Sequence, residues 1–272
     1  MKIIFVSDLH GSTWKYEKLY KVAIRHHADV VMNGGDMLPK NCDLFQQDKF
    51  INRHLKKHFQ QFNEAKIYYL CYLGNDDLMI FDQLFEETCQ EYEYICNIAQ
   101  QKRTIQDMDF IGMNWVVDYP FQLKDRCRMD TREYIFQRQF GPGLLSSFSG
   151  WKKIDNWYTY ANTLPTIKDE LDRLPRPKCM QYCVYMIHMP PANLELDVCG
   201  HGEKVGSQAL YTFLQTYQPQ LSLHGHIHES PKISGIWKAK LGNTTCIQPG
   251  QLKGLTYVTI DTNRMNIERY TE

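Results

Sequence analysis

No excess of either charge sign marks this sequence: 31 Lys and Arg balance 31 Asp and Glu over 272 residues. That balance argues against a bulk electrostatic grip on nucleic acid or on an acidic membrane. Affinity for a charged ligand has to be local. Long apolar runs are also missing, since no stretch approaches the roughly 18 residues a membrane helix needs. Met1–Val6 is too short an apolar run for a signal peptide and has no small-residue cleavage site. The nine cysteines are odd in number and follow no Cys-x-x-Cys spacing. They read as reduced, mostly buried small hydrophobes. A globular cytoplasmic enzyme without a membrane role is the expectation.

What is present is an alternation. Ile3–Ser7, Val30–Met32 and Ile67–Leu73 read as short buried strands by length and branching. Amphipathic helical patterns lie between them, over Trp14–His26 and Phe45–Ala65. That order is an α/β pattern. Phe110–Trp115 is a further strand, after which the rhythm breaks. Residues of about 116–165 form an insertion rich in aromatics and cations, with some helix expected near Arg132–Gln139, packed over the body of a single domain spanning 1–272. Regular structure resumes with a helix over Thr166–Leu174, a strand at Cys183–His188, a helix over Gly206–Tyr217 and a strand at Leu221–His224. The tail is β-rich.

Several strands end in residues that bind metals. Asp8-Leu9-His10 follows the first strand, and His226-Ile227-His228 follows a late one. In extended backbone, residues i and i+2 point the same way, so each triplet can aim two side chains at one centre. Gly34-Gly35-Asp36, Gly74-Asn75-Asp76-Asp77 and His188-Met189-Pro190-Pro191 add three more such segments. Carboxylate and imidazole donors suit Mn, Fe, Co, Ni or Zn better than an all-oxygen Mg or Ca site. One segment alone is weak evidence. Five in order, each after a strand and most beside glycine, are not.

The series Asp8-x-His10, Gly35-Asp36, Gly74-Asn75, His188-x-Pro190-Pro191 and Gly225-His226-x-His228 resembles the calcineurin-like metallophosphoesterases. The resemblance implies a four-layer αββα sandwich, two facing mixed β-sheets flanked by helices. It implies two divalent transition metal ions, one held by Asp8, His10, Asp36 and His228 and the other by Asp36, Asn75, His188 and His226. The implied reaction is in-line attack of a metal-bridging hydroxide on a small phosphate ester, with a nucleotide among the candidates. Two carboxylates and one hydroxide against two divalent ions leave roughly +1, enough to draw a phosphate without a basic patch.

The chain departs from that pattern at one position. The family follows Gly-Asn with His, a candidate proton donor, whereas here Asp76 occupies that place. Beside two cations a carboxylate stays ionised and donates poorly. It also lowers the local charge from about +1 to about 0, which penalises a monoester dianion more than a diester monoanion, so a phosphodiesterase is favoured. Asp76 joining the metal shell is the other reading. His201 is a candidate replacement acid, against the plainer reading of an exposed loop histidine. Asp77 either orients a ligand or caps the next helix, and His224 packs behind the site. The arginines between Arg126 and Arg138 either clamp phosphate or form salt bridges. Two alternatives differ in class. One is a metal-containing nucleotide-binding or regulatory module with little turnover. The other is a nuclease of the same fold, which the neutral composition disfavours. The apolar residues of the insertion are compatible with a homo-oligomer.

Overall fold

The computed structural model describes residues 1–272. Two six-stranded mixed sheets face each other. The first runs in the order Asn266–Thr271, Thr256–Asp261, Lys2–Val6, Val30–Asn33, Tyr68–Cys71 and Ile95–Asn97. Its last four strands are parallel, and the two from the tail are antiparallel. The second sheet runs Lys238–Leu241, Thr244–Ile247, Leu221–Leu223, Cys183–Ile187, Met108–Met113 and Lys102–Ile105.

The apolar run of the first strand explains the layering. Ile3 and Phe5 point into the core shared by the two sheets, with Val184, Met186, Leu221 and Phe110 opposite. Ile4 and Val6 point outward into a second core, built with Leu19, Phe59 and Phe85 from the covering helices. A strand buried on both faces needs a continuous apolar run, not an alternating one. A third core lies beyond the second sheet, where Tyr185 and Ile187 meet Phe213, Leu171 and Trp157. Helix, sheet, sheet and helix give the αββα sandwich.

Helix Thr13–His26 ends where His27 turns left-handed and its N–H reaches the carbonyls of Ala23 and Ile24. The helical pattern of Phe45–Ala65 becomes the run Gln47–Glu64, with a wider π turn at Ile51–Leu55. Ile51 and Leu55 stay buried across that turn.

The expected helix near Arg132–Gln139 is not formed. Its side chains bond outward instead. Arg132 pairs with Asp169 at 2.9 Å, Tyr134 Oη donates to Asp118 O at 2.8 Å, and Gln139 Nε2 donates to Asp118 Oδ2 at 3.0 Å. The regular pieces of this segment are Val116–Val117 paired with Cys127–Arg128, a hairpin of Gly143–Ser147 and Gly150–Ile154, and a short helix, Trp157–Ala161. Val116, Cys127 and Trp157 belong to the third core. Helix Asp82–Gln90, which buries Phe85 and Cys89 one turn apart, and strands Ile95–Asn97 and Lys102–Ile105 are further elements beyond those expected. No helix is long and apolar enough to cross a membrane.

Candidate metal centre

The ligand-bearing segments leave the carboxyl ends of strands in both sheets, where α/β folds collect their sites. The backbone there is not extended. Asp8, His10, Asp36 and His226 all have positive φ, at 57°, 44°, 51° and 68°. The first strand stops at Val6 and the late one at Leu223. Left-handed turns, not β alternation, therefore bring Asp8 and His10 to one side. Such conformations cost a non-glycine residue on the order of 1–3 kcal/mol each and cluster where function over-determines them.

Two glycines allow the loops to meet. A Cβ on Gly74 would lie 2.2 Å from Asp36 N and 2.3 Å from Asp36 Oδ1. One on Gly225 would lie 2.7 Å from Ser7 Oγ and 2.8 Å from Asp8 Oδ2.

Ligand atoms of Asp8, His10 and Asp36 lie within 4.8 Å of one another. His226 N donates to Asp8 Oδ1 at 3.0 Å, and the rings of His10 and His228 stand 5.8 Å apart, edge to face. On the other side of Asp36, its Oδ1 is 3.6 Å from His188 Nε2. Asn75 Oδ1 then receives both His188 Nε2 at 2.9 Å and His226 Nδ1 at 2.6 Å. All seven residues of the expected donor set gather here, with Asp36 between the two groups. His10 Nδ1 and His228 Nδ1 are buried without a hydrogen-bond partner. His228 Nδ1 does lie 3.2 Å from Glu229 Oε2, but not in hydrogen-bonding alignment. Orphaned imidazole nitrogens beside two carboxylates fit a cation.

The electrostatics of the metal-free chain agree. Burial pulls His188 down, but the Asp36 carboxylate, together with Asp8 and the Gly34 carbonyl, outweighs it and raises the group to about 9. In turn Asp36, despite its burial, is held far below the ordinary carboxylate range by His188 and His10. Burial lowers His10 to about 4 and His226 to about 3, leaving both neutral and able to coordinate. His188 Nδ1 donates to Gly34 O at 2.6 Å, which orients the ring and leaves Nε2 facing Asp36. A proton on His188 Nε2 thus stands where a cation would sit.

A pH dependence follows. The folded-state value of His188, about 9, lies above its unfolded value of about 6.5. Its contribution is complete below pH 6.5 and lost as pH rises through 9. Metal-free protein should lose on the order of 2–3 kcal/mol over that window, read by denaturant unfolding. His188→Gln should flatten the slope, and an unchanged slope in that variant would refute the assignment.

Asp76 sits at the edge of the cluster, its Oδ2 3.9 Å from His10 Nδ1. Burial and the Asp36 charge push it up to about 6 in the metal-free chain, against the pull of Lys40. Lys40 was not foreseen. Its Nζ lies 3.0 Å from His10 Nε2 and 3.3 Å from Asp76 Oδ2. A lone lysine after Leu38-Pro39 carries no spacing signal, so nothing in the sequence marked it.

Asp77 does not cap a helix. The next helical turn, Met79–Phe81, starts after Leu78. Its carboxylate instead accepts from Gly74 N at 2.7 Å, Leu38 N at 2.8 Å and Met37 N at 2.9 Å, fastening the Asp36 loop to the Asn75 loop. Arg126, fully buried, donates to Gly74 O at 2.8 Å and pairs with Asp82. Arg128 stacks on Trp115 with its guanidinium carbon 3.8 Å from the ring centroid, and Arg132 pairs with Asp169. These arginines are occupied by the protein. His224 is buried behind the site, its Nδ1 near the carbonyls of Ile187 and Met189. His201 is 69 % exposed and pairs with Glu203 at 3.0 Å, the arrangement of a surface loop histidine. Gln251 is another unforeseen contributor: its N donates to His228 O and its Nε2 to Ser7 O, tying the last metal loop to the first.

The sequence model of the calcineurin-like phosphoesterases matches residues 1–230. The chain belongs to that family. This phosphoesterase has no match among curated protein sequences. One solved structure superposes with a TM-score of 0.65 at 17 % identity, covering 99 % of this chain and 98 % of the other. The protein TT1561 of Thermus thermophilus gives 0.59 at 17 % identity, with 99 % and 98 % covered. A dimetal phosphatase from Danio rerio gives 0.51 at 10 % identity, with 95 % and 91 % covered. At such identities the likeness speaks to fold. Family and site together make this a metal-dependent phosphoesterase.

Proposed function

We propose that this single-domain chain hydrolyses small phosphate esters, diesters in preference to monoesters, at a centre of two divalent transition metal ions. Asp8, His10, Asp36 and His228 would hold one ion, and Asp36, Asn75, His188 and His226 the other. The observation that carries the reading is the place of Asp36, within reach of Asp8 and His10 on one side and of His188 on the other. Bound there, two such ions supply Lewis acidity and a water acidified enough to attack phosphorus near neutral pH.

The chain's own groups set what the site accepts. Asp8 and Asp36 leave a modest positive balance once the ions are in place. Asp76 has no proton to give beside cations. Lys40 offsets its charge, so the balance returns to about +1, not the zero that Asp76 alone would impose. The Asp76–Lys40 pair is nonetheless neutral where the family's imidazole, when protonated, would add a positive charge and a donor. That difference weakens the hold on a dianion more than on a monoanion.

Initial rates on bis-p-nitrophenyl phosphate and p-nitrophenyl phosphate, with Mn, Fe, Co, Ni and Zn in turn, test the reading. The diester is expected to be the faster substrate. Asp76→His should move the diester-to-monoester ratio toward the monoester by about tenfold, the scale of one charge–charge interaction of ~1.4 kcal/mol. A native enzyme with a large monoester preference would overturn the diester proposal.

A further inference from the structure

Three aromatic rings of the insertion run outward from the metal centre. The Tyr119 ring centroid is 5.8 Å from that of His226. Tyr119 is held firmly, since its hydroxyl donates to Leu123 O at 2.9 Å and buried Lys124 Nζ lies 4.9 Å from its ring centroid. Phe121 follows at 5.9 Å from Tyr119, and Phe140 at 5.4 Å from Phe121, nearly perpendicular to it. A backbone bond from Phe140 N to Pro120 O fixes the two segments together. Phe121 is 61 % and Phe140 70 % exposed, and neither is a buried member of any of the three cores.

Single exposed apolar residues are ordinary, and Phe148, 88 % exposed without an aromatic neighbour, is one. A connected file of rings starting at a metal ligand is different. Its inner end lies against a histidine of the proposed phosphate site, and its outer rings are largely exposed. A planar group joined to a phosphate can stack on such rings in offset or edge-to-face geometry. Stacking needs no charge, which suits a chain of balanced overall charge.

We propose that Tyr119, Phe121 and Phe140 form a subsite for a planar aromatic ester group of the substrate, a nucleobase or a group of similar size. This rests on the phosphoesterase reading of the adjoining centre and names the class of ester it takes. The occupant is part of the substrate, not a protein, because the file is continuous with the phosphate site.

The test is equilibrium binding to the metal-loaded protein, using methylphosphonate and a non-hydrolysable adenosine phosphonate. The adenosine compound should bind about tenfold tighter or more. Phe121→Ala/Phe140→Ala should reduce that ratio to within about threefold, and Phe121→Tyr/Phe140→Tyr, which keeps both ring faces, should restore it. Equal affinity of the two compounds for the native protein overturns the subsite, as does an alanine variant that keeps the preference. So does native self-association that the alanine variant abolishes without any change in the ratio, which would make the rings an interface between copies. Failure of the phosphoesterase reading looks different: no ester is turned over with any metal, whatever the two phosphonates do.

Discussion

Asp36→Asn is expected to remove turnover of every phosphate ester, by well over the roughly 10–100-fold that outer groups around a metal cost when lost. The substitution keeps shape but removes a charge. Asp36 approaches Asp8, His10 and His188, and also accepts Asp76 N at 2.9 Å. An amide there keeps at most one acceptor oxygen and turns an N–H₂ toward ligands or cations. In the metal-free chain it also strips His188 of the anion that raises its pKa, so the stability loss between pH 6.5 and 9 should shrink. Elemental analysis after reconstitution should find less than the native metal content. A variant with native metal content and activity within tenfold of native would remove Asp36 from the bridging place proposed for it.

The largest stability effect is expected at Asp77. It is fully buried, and Asp77→Ala strands the N–H groups of Gly74, Met37 and Leu38. Stranded buried donors cost roughly 1–3 kcal/mol each. Part of that is regained, because burial and the Asp36 charge already push the Asp77 carboxyl up to about 7. The net loss should be on the order of 3 kcal/mol in denaturant unfolding, with activity falling alongside because the loops of Asp36 and Asn75 lose their shared anchor. Asp77→Asn, which retains one acceptor oxygen, should lose less. A cost below about 1 kcal/mol for alanine would mean that water replaces the carboxylate and the anchor is dispensable.

Much of the fold, and the segments that gather at the candidate metal centre, could be read from the residues. Apolar runs such as Ile3–Val6 and Cys183–Ile187 stop abruptly at segments that carry polar residues and a nearby glycine or proline, and both features leave a mark in one dimension. The anchors of the site leave none. Asp77 bonds to backbone amides of Met37 and Leu38, some forty positions away, and any acceptor at the right point in space would serve. Lys40 and Gln47 are equally silent. Gln47 Nε2 donates to the carbonyls of Pro39 and Asp76, and its Oε1 accepts from Leu78 N. The segment Arg132–Gln139 misled for a related reason. Its spacing allows a helix, but Arg132 and Tyr134 find better partners in Asp169 and Asp118. The paired use of i and i+2 came from the right residues and the wrong backbone, since positive φ at Asp8 and His10 does what a strand end was expected to do.

Those left-handed residues bear on any attempt to harden this protein. Glycine at His10 would ease the main chain and remove a buried imidazole nitrogen that has no partner, whereas Asp8, Asp36 and His226 also make polar contacts that a glycine would lose. Selection on the melting temperature of the metal-free chain alone should therefore favour His10→Gly, a gain that under the proposed function removes a metal donor. Screens for robust variants of this chain need a metal-retention step beside the heat step.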